Sequence, residues 1–218
     1  MHDGGANALY GAIEAGGTKF VCGIGSFSRG SLEQIRITTG EPADTLGEVV
    51  RFFRAQADRF GPIAGLGIGS FGPLDVDRHS PTYGRLTTTP KQGWQGIDLL
   101  GAVAEPLGLP TMLDTDVNAA ALAEAHIAFG DGPGVLAYVT VGTGVGVGFA
   151  ENGRIWQRRA LPEAGHLLLR RHVLHADFPG VCPFHGDCLE GLASGPAIQA
   201  SWGASLDQLP SDHPAWPA

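Results

Sequence analysis

The sequence predicts an α/β fold built on a mixed sheet. Three observations predict it. Short β-rich apolar runs alternate with stretches of helical periodicity. Glycine and proline are abundant, at 34 and 15 of 218 residues, as short strands joined by turns and loops require. Hydrophobic residues make up 43% of the chain and charged residues only 17%, enough apolar side chain for one large domain or two small lobes.

The elements follow in order. Met1 to Asn7 reads as a frayed terminus. Ala8 to Ile13 and Phe20 to Gly25 are β-rich on either side of a Gly-Gly turn and read as a hairpin, with Ser31 to Thr38 as a third strand. Pro42 to Phe60 places Leu46, Val49, Val50, Phe53 and Ala57 on one helical face. Ile63 to Gly69 is a short buried strand. Phe71 to Gln95 lacks periodicity, and a loop this long in a compact domain usually binds something. Ile97 to Leu107 reads as a helix, Thr111 to Leu113 as a strand, and Val117 to Phe129 as an Ala-rich helix with Asp116 as its N-cap. Val135 to Val141 and Val145 to Ala150 form a second hairpin around Gly142-Thr143-Gly144, and Gly195 to Trp202 is a short helix.

Composition excludes several classes. Net charge is -8, and no basic cluster exceeds Arg158-Arg159 or Arg170-Arg171, so the positive stripe of a nucleic-acid surface is absent. No apolar run approaches the ~20 residues of a membrane span. No targeting segment is visible, and the chain is expected in the cytoplasm. Three cysteines make a poor disulfide framework. Cys22, in a strand, reads as a small buried apolar residue.

The stretch Leu161 to Leu192 holds the other two cysteines and four of the eight histidines. Cys182, His185 and Cys188 recur every three residues, and His166 lies sixteen residues before Cys182. Thiolate and imidazole are the donors zinc prefers, and a closed structural site takes four in a tetrahedron. A C-x2-H-x2-C turn supplies three to one point, and His166 supplies the fourth across a loop. Glu163 and Glu190 stand beside these ligands, where a metal-braced loop would hold them rigid.

Two turns suit phosphate. In Glu14-Ala15-Gly16-Gly17-Thr18-Lys19, adjacent glycines free backbone N–H groups for an anion, Thr18 adds a hydroxyl and Lys19 a charge. An ordinary hairpin turn is the plainer account of that stretch alone. Gly142-Thr143-Gly144 repeats the chemistry, and glycine at alternate positions after it bares one strand face. No G-x-x-x-x-G-K-[ST] loop is present. The G-x-G-x-x-G at Gly67, Gly69 and Gly72 is followed by Pro73 instead of opening a helix, so it is no dinucleotide fingerprint. It suits a small polar substrate lying against the backbone. In Asp114-Thr115-Asp116-Val117-Asn118, phosphoryl transfer to a hydroxyl would find its proton acceptor in Asp116, with Asp114 as competitor and a structural role for one of the two.

Taken together, these pieces resemble the sugar kinases of the ROK (repressor, open reading frame, kinase) family from about Tyr10 to Trp216. EAGGTK resembles the family's first phosphate motif, DTDVNAAALAE its catalytic-base segment, VTVGTGVGVG its second phosphate motif, and EAGH with CPFHGDCLEG its zinc and sugar segment. The resemblance implies an actin-like (ribonuclease H-like) ATPase fold with two mixed-sheet lobes, 1–115 and 116–218, the second incomplete and carrying the zinc loop. It implies ATP, magnesium, zinc, a hexose acceptor and a homodimer. Carried over, Asp116 is the base. Gly69, Asn118, Glu163, His166 and Glu190 contact sugar. Gly16, Gly17, Thr18, Lys19, Gly142, Thr143 and Gly144 meet the phosphates. His166, Cys182, His185 and Cys188 hold zinc. Thr115, where the family's glucokinases place Asn, and His185, where they place a third cysteine, are similar to the fructokinase branch, as is the segment from Thr87 to Trp94. D-fructose, giving fructose 6-phosphate, is the expected substrate; mannose and glucose are alternatives, as is a non-catalytic sugar binder. Family members are longer, so the C-terminal part of the fold is expected to be missing.

Overall fold

The computed structural model describes residues 6–89, 91–156 and 163–216. Pro90, the Arg158-Arg159 pair, Leu161 and the first five residues of the expected frayed terminus lie outside the described residues. Ala6 and Asn7 are tied down: the Ala6 carbonyl accepts from the Ser28 N–H at 3.0 Å, and Asn7 Oδ1 accepts from Ser28 Oγ at 2.7 Å. The chain divides into two compact units, Met1–Ala120 and Ala121–Ala218.

The first unit is built on a five-stranded mixed sheet. β1 (Leu9–Ala15) and β2 (Lys19–Ser26) form the expected hairpin, and β3 (Gly30–Thr38) adds to it antiparallel. β4 (Ile63–Ser70) runs parallel to β1, and β5 (Thr111–Thr115) parallel to β4, giving the order β3-β2-β1-β4-β5. Inward residues alternate along the strands, as the period of two requires. Leu9, Ile13, Phe20, Cys22, Ile24, Leu66 and Ile68 meet Leu46, Val49 and Phe53 of α1 (Pro42–Phe60), with Leu99 and Val103 of α2 (Leu99–Leu107) in the same cluster. α1 starts with Pro at its first position and ends at Gly61, where φ is 104°. α2 is capped by Asp98, whose carboxylate accepts from the Gly101 N–H at 2.8 Å.

The segment from Phe71 to Gln95 contains no named helix or strand among its described residues, but it is not simply an open binding loop. Leu74, Leu86 and Trp94 belong to the main core, and Trp94 donates its Nε1–H to the Gly40 carbonyl at 3.0 Å. Its length is explained at least in part by packing. Cys22 is fully buried, and burial pushes its thiol up to about 12, as expected of an inert apolar residue.

The second unit carries the antiparallel sheet β6 (Val135–Val141), β7 (Val145–Glu151) and β8 (Arg154–Ile155). The later turns of α3 (Asp116–Phe129) supply Ala121 and Ala125, which pack on Ala150 with Leu136 and Tyr138. That apolar cluster is small. Beyond it the described residues contain three single 3₁₀ turns, α4 (Leu189–Ala193) and α5 (Gly195–Trp202). No helix among the described residues is long and apolar enough to cross a membrane.

Candidate functional site

In the first unit, the ends of the parallel strands bring chemistry together. Glu14 stands opposite Gly69, and Gly69 opposite Asp114, so β1, β4 and β5 present one row at their carboxyl ends. That edge is where open α/β sheets bind ligands. β5 runs straight into α3 with no intervening loop, placing Asp116 at the first helical position. The N-cap expectation is corrected here. The Thr115 hydroxyl accepts from the Asn118 N–H at 3.3 Å and does the capping, while Asp116 Oδ1 accepts from its neighbour Val117 N–H at 2.8 Å. Asp116 is thereby left available for other work.

Asp114 is the structural member of the pair. It is buried, and its Oδ1 accepts from the Asn118 Nδ2 at 2.7 Å and the Thr115 N–H at 2.8 Å. Asn118 is buried as well, held by this pairing. Burial pushes the Asp116 carboxyl above its ordinary value, the Val117 N–H opposes that, and the Glu14 charge adds to the rise. Solvent still reaches the Asp116 side chain. Gly69 sits tight beneath it: a Cβ there would lie 3.3 Å from Asp116 Cα and 3.2 Å from Ala119 Cβ.

The turn Gly16 to Lys19 closes on a Gly16 N–H to Lys19 carbonyl bond of 3.0 Å. Thr39 braces it from behind, its hydroxyl donating to the Gly16 carbonyl at 2.7 Å and its N–H to the Thr18 carbonyl at 3.0 Å. The space around Gly17 is open, and the N–H groups of Gly17 and Thr18 have no partner among the described residues. Lys91, which donates its Nζ to the Thr39 carbonyl at 2.9 Å, steadies the brace. Thr39 lies outside any motif, and Lys91, within the segment from Thr87 to Trp94, lies 52 residues from it, so nothing in the sequence pointed to their pairing.

In the second unit, His166, Cys182, His185 and Cys188 bring one donor atom each within 4.8 Å of one another. His166 Nδ1 lies 3.4 Å from Cys188 Sγ and 3.7 Å from Cys182 Sγ, and His185 Nδ1 lies 3.8 Å from Cys182 Sγ. A tetrahedron with ordinary Zn–S and Zn–N bonds has S···N edges of about 3.5 Å. The donor set and its spacing therefore fit such an ion. All three cysteines are free thiols, in keeping with the poor disulfide framework they make. Burial pushes the Cys188 thiol up, and Cys182 beside it adds to the rise.

The local fold explains the convergence. Cys182 and Gly186 exchange backbone hydrogen bonds of 3.2 and 2.9 Å, closing a tight turn that holds His185 between them. Gly186 has φ +63°, a conformation an L side chain resists. Cys188 caps α4, and the Leu189 N–H donates to the Leu167 carbonyl at 2.8 Å, which brings His166 alongside. Arg171 staples the loop. It donates Nε and Nη2 to Asp187 Oδ2 at 3.0 and 2.7 Å, and Nη1 to the carbonyls of Ala176 and Phe178. Those bonds hold the Asp187 carboxyl below its ordinary range. In the sequence Arg171 is only half of a small basic pair.

His166 turns Nδ1 to the sulfurs, leaving Nε2 on the other edge of its ring. Glu163 is exposed just before that turn. Glu190, in the first turn of α4, accepts the Val145 N–H on Oε2 at 2.9 Å, directly beside the turn Gly142 to Gly144. The structure thus groups Glu163, His166 and Glu190 with the four donors and the second glycine turn. It groups Gly69, Asp116 and Asn118 with the ends of the parallel strands.

A family model described as the ROK family matches residues 10–213. The chain is 44% identical to the fructokinase of Zymomonas mobilis over 202 residues, which are 92% of this chain and 67% of that protein. It is 40% identical to the fructokinase of Lactococcus lactis over 210 residues, 96% of this chain and 70% of that protein. Among solved structures it is similar to the ROK hexokinase of Thermus thermophilus, with 28% identity and a TM-score of 0.69. That match covers 88% of this chain but only 62% of the hexokinase chain.

Proposed function

The chain belongs to the ROK family, and from that premise we propose that it acts as an ATP-dependent hexose kinase that converts D-fructose to fructose 6-phosphate. One observation carries the chemistry. Of the two aspartates at the β5–α3 junction, Asp114 is spent on Asn118 and Thr115, while Asp116 is free and has a raised proton affinity. A carboxylate in that state is a better general base than an ordinary one.

In this reading the sugar 6-hydroxyl lies against Asp116. As O6 attacks the γ-phosphorus, Asp116 takes its proton. The new O6–P bond forms while the bond to the β-phosphate oxygen breaks, and ADP departs. Asn118 and Gly69 border the acceptor. Glu163, the Nε2 edge of His166 and the remaining oxygen of Glu190 face other hydroxyls. The amides of Gly17 and Thr18, with Lys19, meet phosphate oxygens, as do those of Gly142, Thr143 and Gly144. Magnesium, when bound with ATP, would supply charge neutralisation. His166, Cys182, His185 and Cys188 would hold zinc, which would supply rigidity only, because four protein donors leave no open position. The same reading carries with it the expectation that the reaction takes place in the cytoplasm.

A coupled assay with fructose, mannose and glucose tests the reading. Fructose should show the highest kcat/KM. A higher value for mannose or glucose would overturn the substrate assignment. Sugar binding without any product would favour the non-catalytic binder.

A further inference from the structure

The metal-donor cluster and the second glycine turn are mechanically joined, and Glu190 is the joint. Its Oε2 accepts the Val145 N–H at 2.9 Å, and Val145 is the first residue after the turn. A Cβ on Gly144 would come within 2.6 Å of the same oxygen, so the turn rests directly on this carboxylate. Glu190 is two residues beyond Cys188, the residue at the N-cap position of the helix that carries Glu190.

Two further contacts hold the same turn. The Gly195 N–H, at the start of α5, donates to the Gly142 carbonyl at 2.7 Å. Gly165 backs onto the Val145 carbonyl so closely that no Cβ fits, and it is the immediate neighbour of His166. Two of the three supports therefore sit within two residues of a metal donor. The turn's own side chains contribute little, since two of its three residues are glycines. Its conformation is set from outside.

We propose that metal loading of the His166, Cys182, His185 and Cys188 cluster sets the conformation of the turn Gly142 to Gly144, with Glu190 as the positioning residue that transmits it. An ion fixes Cys188 and His166 relative to one another. That fixes the start of α4 and the turn at residues 164–166, and both hold Val145. The turn's amides are then aimed before any phosphate arrives, which is where pre-organisation contributes most. The link to nucleotide binding rests on the reading that this turn meets phosphate. The mechanical coupling does not.

Hydrogen–deuterium exchange on the full chain tests the coupling without any turnover. Amides in 142–146 should exchange about tenfold faster after chelation, the scale of losing one hydrogen bond to a charged acceptor. Because stripping the metal could unfold the whole loop, Glu190→Ala and Glu190→Gln are measured in the zinc-loaded protein. The Ala variant should reproduce the faster exchange, and Gln, which keeps an acceptor oxygen, should restore most of the protection. Unchanged exchange at 142–146 in the Ala variant would overturn the proposal. So would a chelated protein that loosens at 164–166 and 188–193 but not at 142–146. Titration with a non-hydrolysable ATP analogue, run on the same samples, should show weaker nucleotide binding wherever exchange is faster. Faster exchange with unchanged nucleotide affinity would support the coupling while overturning the phosphate role of the turn.

Discussion

Asn118 donates its Nδ2 to Asp114 Oδ1 across 2.7 Å, and both side chains are buried. This pair divides the labour of two neighbouring aspartates. Asp114 is engaged with Asn118 and Thr115, and in the proposed reading Asp116 is the carboxylate that does the chemistry. Replacing Asp114 with Ala strands a buried amide, a loss of about 1–3 kcal/mol. Chemical denaturation should show that loss, and the KM for sugar should rise with it. Unchanged stability and KM would show the pair to be idle.

Asp116→Asn should abolish phosphoryl transfer and leave stability intact or improved. The sign follows from its raised proton affinity. Ionising Asp116 costs the folded chain more than the unfolded chain. That cost is present above the raised value and vanishes as pH falls through it. Solvent access keeps it small. The amide removes it at neutral pH, so the thermal midpoint should hold or rise. A marked drop would mean that Asp116 holds the fold together.

The same shift sets the pH profile. A general base works only when deprotonated, so the acid limb of kcat/KM should fall at a pH above the ~3.9 of an ordinary aspartate. An acid limb at or below that value would separate Asp116 from the titration that controls rate.

Gly69→Ala tests how closely β4 must approach α3. The added methyl would press on Asp116 Cα at 3.3 Å and Ala119 Cβ at 3.2 Å, so the helix start must give by a few tenths of an ångström. Turnover should fall roughly tenfold to a hundredfold, because small displacements of a catalytic group are costly. The thermal midpoint should change little. A variant with full kcat would show that the base tolerates the shift.

Zinc should bind at one ion per chain by metal analysis, and Cys188→Ser should lose it. Arg171→Ala should weaken zinc by about tenfold, since outer partners of metal sites act on that scale. Among the described residues, Arg171 reaches the site through Asp187 and the loop carbonyls. Full zinc retention in the Arg171 variant would make its hydrogen bonds incidental.

Much of this was legible before any coordinates. The periodicity of Pro42 to Phe60 gave α1 residue for residue, because one apolar face and a Pro start leave little ambiguity. The spacing of His166, Cys182, His185 and Cys188 gave the cluster, because donors of one chemistry at short intervals rarely gather by chance. The helix α4 and strand β8 escaped, being five and two residues long, too short for a period to register. The N-cap assignment failed because a strand running straight into a helix shifts capping to Thr115. Trp94 was hidden in an aperiodic segment, since a single side chain can anchor a loop with no repeating pattern around it. Glu190's bond to Val145 spans 45 residues, and no local pattern encodes such a contact.

Phosphorus NMR of the zinc-loaded chain with ATP, magnesium and fructose, beside Asp116→Ala under the same conditions, bears most directly on the whole account. The prediction is a growing fructose 6-phosphate resonance for the native sequence and none for the variant, with both still binding sugar. Product formed equally by the two proteins, or no product from a folded and metal-replete native chain, would contradict it.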